Sequence, residues 1–191
     1  MSDDTLPTHR IDPLEARVVS FRQQPEAKGF AELRQVLRDA GRGELLAEVC
    51  ATWAPHERDP VRAADAWSEA GEAMVVLGET ATAIEYLRTA LDLDPTNDRA
   101  ADRLLEIVEP TDPAAAVEII EHELAELARR AGGGGAKAKA EVTARRAQHH
   151  RKAAELWNDH LGRVDRALWH YQQAWKLEPF EYGSTPTARR R

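Results

Sequence analysis

Hydrophobic residues along most of this chain recur at spacings of three and four, which is the period of an amphipathic helix. Short clusters of Gly, Pro and Asp separate these segments, as expected where helices begin and end. The 191 residues hold no run of alternating Val, Ile and Thr that would predict a strand. Ala, Leu, Glu and Arg dominate, and their side chains fit a helix at little cost in conformational entropy. The pattern predicts an all-α protein.

The clearest repeat-like block is Ala64 to Asn97, in which small and large residues occupy fixed positions. Its recurring positions are Trp67, Ala70, Gly71, Met74, Gly78, Ala83, Leu87, Ala90 and Pro95. The first two large residues, Trp67 and Met74, share a helix face with Ala70. Gly71 and Ala83 are small, which predicts that two consecutive helices cross closely at these residues.

The ends of the two helices in this block also follow from their residues. Gly78 permits the left-handed backbone that ends a first helix. Thr80 is the predicted cap of the second helix. Asp94 precedes Pro95, and a residue before proline is driven out of the helical region, so the second helix should end there.

The block from Gln148 to Glu181 repeats this order less completely. The matching positions are Ala154, Gly162, Ala167, Tyr171, Ala174 and Pro179. Arg151, Glu155 and Asn158 depart from it, and Glu155 stands where the clearest block has glycine. A second helix is predicted from Asp165 to Leu177, with Tyr171 in its core.

Further helices are predicted by weaker patterns. Asp12-Pro13 begins a capping helix that runs to about Gln23, since Asp caps a helix and Pro suits its first position. Other predicted pieces are a helix with Phe30, Leu33, Leu37 and Gly41, a helix from Leu45 to Ala54 with Pro60 after it, and a helix from Arg99 to Val108. Asp112-Pro113 starts a long helix with Ala116, Ile119, Ile120, Leu124 and Leu127 on its inner face.

These spacings resemble the tetratricopeptide (TPR) repeat and the related half-a-TPR superfamily, most closely the long bacterial repeat proteins. The resemblance implies a right-handed α-solenoid of about eight or nine helices that binds proteins or peptides in a groove. It implies no catalytic activity and no cofactor. The expected division is 1–28 tail and capping helix, 29–130 repeats, 131–139 flexible Gly/Ala/Lys loop, 140–181 C-terminal repeat and 182–191 basic tail. The tail also resembles the start of a further repeat.

Candidate partner-binding residues come from the groove positions of the resembling family and from two tryptophans. They are Ser68, Glu72, Asp102, Glu106, Lys152, Trp169 and Trp175. The family's clamp for a C-terminal carboxylate needs basic and amide residues at the groove positions, and most of these are acidic. An acidic wall formed by Glu72, Asp102 and Glu106 would instead suit a basic or mixed-charge peptide. Trp169 and Trp175 are six residues apart, so they should point to different faces of one helix.

The charge distribution supports an alternative partner. The net charge of −7 divides into 12 Lys+Arg and 27 Asp+Glu in residues 1–128, against 14 and 6 in residues 129–191. The basic segment consists of Arg129, Arg130, Lys137, Lys139, Arg145, Arg146, Arg151 and Lys152, with Glu141 as its one acid. Such density suits phosphate neutralisation and an RNA-binding repeat protein. The segment lacks interleaved aromatic residues that would stack on bases, which makes nucleic acid the second choice.

Other chemistry has little support in the sequence. His149, His150, His160 and His170 do not form a metal-ligand spacing on one helix, and surface or interface histidines are expected. Cys50 lies among Ala and Leu, which indicates packing. A single cysteine, no secretory signal and no stretch of about 18 apolar residues favour a cytoplasmic protein.

Overall fold

The computed structural model describes residues 12–130, apart from the side chain of Arg130, and residues 135–178. Helices account for 85% of these described residues, which include no strand. The helices, in chain order, are α1 (Pro13–Gln23), α2 (Ala27–Asp39), α3 (Gly43–Trp53), α4 (Pro60–Leu77), α5 (Thr80–Leu93), α6 (Asp98–Val108), α7 (Pro113–Arg130), α8 (Ala136–Glu155) and α9 (Val164–Leu177). A short 3-10 turn, Ala54–His56, follows α3, and a π-helical turn, Leu156–His160, follows α8.

The chain divides into two compact units, Met1–Leu104 and Leu105–Arg191. The division falls inside α6. In the first unit α1, α2, α3 and α4 enclose an apolar core in which Leu37 and Cys50 are fully buried. Phe30 of α2 stacks on Trp53 of α3 with ring centroids 5.4 Å apart. The predicted helices at Phe30 and Leu45 are therefore confirmed as α2 and α3.

The clearest repeat block forms the helical hairpin of α4 and α5. A Cβ atom added to Gly71 would lie 2.7 Å from Cγ of Leu87 and 3.3 Å from the carbonyl oxygen of Ala83. Two helices can approach this closely only where one of them lacks a side chain. Gly78 has a φ of +80° and ends α4, and α5 ends before Asp94, both as predicted. The predicted close crossing of the two helices is confirmed.

Thr80 does not cap α5, contrary to the prediction from the sequence. It is the first residue of the helix, Glu79 occupies the cap position, and the Glu79 side chain makes no capping hydrogen bond. The Thr80 hydroxyl instead lies 3.4 Å from the carbonyl oxygen of Gly78. The left-handed turn at Gly78 leaves room for only one residue before the new helix begins, which shifts Thr80 past the capping position.

The second unit contains α7, α8 and α9. The Asp112 carboxylate accepts a hydrogen bond of 3.0 Å from the backbone N–H of Ala115, so it caps α7 as the sequence indicated. The predicted inner face is buried at Ala116, Ile120, Leu124 and Leu127. The predicted 131–139 loop is too long, because α8 already includes residues 136–139. Residues 131–134 lie outside the described residues.

The last repeat block forms a hairpin like that of α4 and α5, except that Tyr171 is not buried. Gly162 has a positive φ of +63°, and Ala167 and Ala174 are buried as predicted. Tyr171 is 43% exposed, so its predicted place in the core is wrong. Its counterpart in the clearest block, Leu87, fits against Gly71, whereas the residue matching Gly71 here is Glu155. Pro179 and the tail 182–191 lie outside the described residues, as do residues 1–11.

No helix among residues 12–130 and 135–178 has both the length and the apolar character that a membrane crossing requires.

Candidate functional site

The first unit contains a cavity of about 360 Å³. Helices α2, α3, α4 and α6 each contribute to its wall. Its apolar lining comes from Leu37, Leu46, Ala73 and Val76, and its charged lining comes from Arg38, Glu69, Glu72 and Arg99. Val76 is 80% exposed, so an apolar side chain faces solvent at the cavity. We call this cavity the groove site.

Ion pairs fix the charged side chains of the groove site. Glu69 is nearly buried, and both Arg34 and Arg38 donate hydrogen bonds from Nε to its carboxylate. A buried carboxylate without such partners would be strongly destabilising. Arg99 donates to both carboxylate oxygens of Glu72. These hydrogen bonds raise the pKa of the Arg99 guanidinium, which remains charged and half exposed.

The pairing of Glu72 changes the predicted character of this surface. The sequence indicated an acidic wall, but Arg99 neutralises Glu72. Two further arginines surround Glu69, so the groove site presents both signs of charge. The sequence reasoning missed Arg34, Arg38 and Glu69. The sequence did contain a signal for Glu69, which lies among alanines on the buried face of α4. A carboxylate at a buried position requires a charged partner, so arginines on another helix could have been expected next to it.

The remaining predicted partner-binding residues are scattered. Ser68 is 0% exposed, so it cannot contact a ligand in this structure. Asp102 and Glu106 are exposed on α6. The ammonium of Lys152 lies 2.6 Å from the carboxylate of Glu109.

The two tryptophans on α9 point to different faces, as predicted. Both are about half exposed. Trp169 packs edge-on against His170, with ring centroids 4.8 Å apart. Trp175 lies on another face of the helix, together with Tyr171 and Leu168. The two side chains therefore belong to different surfaces of the second unit.

The basic segment is paired with acidic residues in much of its described part. Arg145 approaches Glu123 at 3.8 Å, Arg151 approaches Glu178 at 3.0 Å, and Lys137 approaches Glu141 at 3.9 Å. Arg129 pairs with Glu126, and Lys152 with Glu109. Lys139 and Arg146 also lie on α8, and the side chain of Arg130 is outside the described residues. These pairs lower the positive potential that nucleic-acid binding requires.

A histidine cluster lies between α8 and α9, whereas the sequence predicts histidines at the surface or at an interface. His149, His150 and His170 are buried, and the Nδ1 atoms of His150 and His170 are 3.0 Å apart. His149 Nε2 lies 2.7 Å from Glu123, and His170 Nε2 lies 3.6 Å from Glu121. Tyr86 occupies the matching position in the clearest block, where its ring contacts Trp67 of α4. The sequence contained no signal for the contact of His150 with His170, because the two residues are 20 positions apart.

Burial lowers the pKa of two of these histidines, His150 and His170. It lowers the pKa of His150 to about 4, and electrostatic interactions with His170, Arg146 and His149 lower it further. Burial also lowers the pKa of His170, while Glu121 opposes this shift. Beside them is a cavity of about 540 Å³ lined by Glu121, Leu124, His150, Asp165, Arg166, Trp169 and His170. Within the described ranges, no three His, Cys, Asp or Glu side chains are grouped to hold a metal ion.

Cys50 is fully buried in the core of the first unit. Burial raises the pKa of its thiol, and the nearby Glu69 carboxylate raises it further. A thiol in this state is a poor nucleophile, because the thiolate is the reactive form. The residue is therefore part of the packing, in agreement with the sequence.

Comparison with known proteins finds similarity in structure only. No family model matches the sequence, and no curated protein matches it. A crystal structure of MamA, a TPR-like helical repeat protein, superposes with a TM-score of 0.54 at 16% identity, and covers 86% of each chain. The chain has a TPR-like helical repeat fold.

A second crystal structure of the MamA protein gives the same TM-score of 0.54 at 16% identity, over 86% of this chain and 80% of that one. A MamA fragment from Desulfovibrio magneticus, residues 41 to the end, has a TM-score of 0.44 at 18% identity over 80% of this chain and 94% of that one. At these identities the likeness concerns the fold. The predicted TPR-like architecture is confirmed, and activity has to be argued from this chain's own residues.

Proposed function

We propose that this chain is a non-catalytic scaffold that binds a segment of another protein in the groove site of its first unit. The observation that carries the proposal is the groove site itself. Four helices, α2, α3, α4 and α6, line one cavity with both apolar side chains and charges that ion pairs hold in place. Proteins recognise peptide segments by this combination, in which apolar anchors supply affinity and flanking charges supply specificity.

The charges of the groove site favour a partner of mixed charge. Arg38 and Arg99 offer guanidinium donors to acidic side chains of a ligand, while Glu72 offers an acceptor to basic ones. Because each of these groups already has a partner, their side chains are held in position before a ligand binds. Such preorganisation reduces the entropy that binding costs. Val76 provides the most exposed apolar contact.

The buried thiol and the structural ion pairs also support a binding role without catalysis. Cys50 is inaccessible, and Glu69 is held by two arginines, so neither is poised for covalent or acid-base chemistry. A single reduced cysteine further supports a cytoplasmic location as part of the proposal. The proposal gives no role to the basic segment 129–152, since acidic residues partner much of it.

A peptide-selection experiment tests the proposed function. A library of short random peptides is selected against the immobilised protein and against two variants, Val76→Lys and Val61→Lys. Both valines are exposed on α4, at 80% and 50%, but only Val76 lines the groove site. We expect selected peptides to bind the Val61→Lys variant like the parent protein and the Val76→Lys variant about tenfold or more weakly.

Two results would overturn the proposal. One is the failure of any peptide to bind, or binding that both variants retain equally. The other is binding of a labelled single-stranded RNA that depends on Lys139 and Arg146 while no peptide binds. Far-UV circular dichroism of each variant checks that helix content is unchanged.

A further inference from the structure

The second unit contains a cavity that the proposed function does not use. It measures about 540 Å³ and is lined by residues of α7, α8 and α9. This volume is typical of sites that bind small molecules. The groove site belongs to the first unit, so the two sites share no residue. We call the cavity of the second unit the histidine cavity.

Three aromatic rings that contact one another form one wall of the histidine cavity. The centroid of the Trp169 ring lies 5.7 Å from that of His150 and 4.8 Å from that of His170, and the two histidine rings are 5.2 Å apart. Trp169 is 52% exposed, although both histidines are buried. Burial lowers the pKa of both imidazoles, so they are uncharged near neutral pH. An uncharged aromatic wall with an accessible indole suits a planar aromatic ligand.

A positive charge at the histidine cavity lacks a partner. Of the two lining carboxylates, that of Asp165 accepts two hydrogen bonds of 3.1 Å from Arg163. The other, that of Glu121, lies 3.6 Å from Nε2 of His170. Arg166 also lines the cavity, but it makes no hydrogen bond or ion pair with any described residue.

A second arginine adds to this positive charge. Arg146 lies one turn before His150 on α8, and its charge acts on that imidazole. The buried Nε atom of Arg146 has no hydrogen-bond partner in the described part of the chain. Arg146 and Arg166 together outweigh the single carboxylate of Glu121, because Asp165 is already paired. Charge complementarity therefore favours an anionic ligand.

The accessible groups of this cavity distinguish the last hairpin from that of α4 and α5. In the clearest block Thr82 occupies the position of Arg166, and Glu85 occupies that of Trp169. The last hairpin thus presents a guanidinium and an indole where its counterpart has a hydroxyl group and a carboxylate. Packing of the repeat does not require these two side chains, since Arg166 and Trp169 are both exposed.

We propose that the histidine cavity binds a small aromatic carboxylate. The aromatic ring of the ligand packs against Trp169, and its carboxylate accepts two hydrogen bonds from the guanidinium of Arg166. A planar guanidinium matches a carboxylate in this bidentate geometry. Leu124 of α7 supplies an apolar contact. An aromatic amine would instead meet an excess of positive charge, which repels it.

A nuclear magnetic resonance titration of the full chain tests the proposal. The probes are naphthalene-2-carboxylate, its neutral amide and naphthalen-2-ylmethylamine, which share a ring system and differ in charge. We expect the carboxylate to shift the indole N–H resonance of Trp169 with a dissociation constant on the order of 0.1–1 mM, as for other ligands of this size. The amide and the amine should bind about tenfold or more weakly, because they lose the charged hydrogen bonds to Arg166. No binding, or equal binding of the three probes, overturns the proposal.

Matched variants on α9 locate the site. Arg166→Gln should weaken binding of the carboxylate about tenfold or more and leave that of the amide unchanged, whereas Trp169→Leu should weaken both. Lys176→Gln and Trp175→Leu are the controls, since these residues are exposed on the same helix but do not line the cavity. Backbone amide resonances of α9 report binding in the Trp169→Leu variant. Equal losses in a variant and its control overturn the proposal.

The same variants separate this proposal from the proposed function. None of the four substitutions lies in the groove site, so peptide binding there should match that of the parent protein. The two proposals therefore fail or succeed separately.

Discussion

At the scale of single residues, Gly71 shows how one missing methyl group shapes the first unit. The space that a Cβ would occupy is filled by Leu87, whose Cγ would lie 2.7 Å away. Leu87 is itself fully buried and cannot move toward solvent. The close approach of α4 and α5 thus depends on a residue that by itself weakens a helix.

We predict that Gly71→Ala destabilises the protein by about 1–3 kcal/mol, because the new methyl group overpacks the helix crossing. This loss should exceed the gain of about 1 kcal/mol that alanine brings to a helix interior. Gly29→Ala is the control: its added Cβ would meet only the Phe21 ring at 3.5 Å, an ordinary contact, so this variant should be unchanged or slightly more stable. Urea unfolding followed by circular dichroism measures both, and equal effects would contradict the prediction.

At the scale of elements, most helices follow from local signals in the sequence. Pro60 is the exception: the sequence pattern placed it at the end of the preceding unit, but Asp59 caps α4 and Pro60 is its first residue. Asp-Pro pairs marked the starts of α1 and α7 within one residue, and the small-residue positions identified the α4–α5 hairpin. The predicted start of α8 was too late. The Ala-Lys residues that follow the four glycines were assigned to the loop, although alanine and lysine both favour a helix.

The candidate sites were harder to predict, because their partners are distant in the chain. Arg34 and Glu69 are 35 residues apart, and His150 and His170 are 20 apart. Helical periodicity identifies which face a residue occupies, but it does not say which residue on another helix it meets. The predicted acidic wall changes at Glu72 for this reason, as the sequence did not reveal that Arg99 would reach this carboxylate.

The histidine pair between α8 and α9 makes the stability of this hairpin depend on pH. The folded pKa of His150 is about 4, below the value of about 6.5 expected in the unfolded chain. Between these values the unfolded chain binds a proton that the folded chain does not, so stability falls as the pH decreases from 6.5 to 4 and is constant above 6.5. At most, we expect a loss of about 2 kcal/mol between pH 6.5 and pH 5, which is the larger part of this window.

Unfolding by urea at about pH 7.5 and pH 5 measures this loss. His150→Gln should reduce the difference between the two pH values, because the buried titrating group is gone. His160→Gln is the control, since His160 is exposed in the same unit. If the His150→Gln variant loses as much stability on acidification as the parent protein, the attribution to His150 is wrong.

At the scale of the whole molecule, each of the two units has its own buried core. Leu37 lies in the core of the first unit and Leu156 in that of the second, and both are essentially inaccessible to solvent. Only α6 contains the boundary between the units. Because separate cores open as separate cooperative segments, local stability should divide along the same boundary.

Hydrogen exchange measured by mass spectrometry tests this division with two matched variants. Leu37→Ala and Leu156→Ala remove equivalent volume from the two cores, and each should cost about 2–5 kcal/mol. We expect Leu37→Ala to speed exchange in α2 to α5 and Leu156→Ala to speed it in α7 to α9. Helix α6, which belongs to both units, should exchange faster in both variants. Faster exchange throughout the chain in either variant would instead show that the protein opens as one cooperative body.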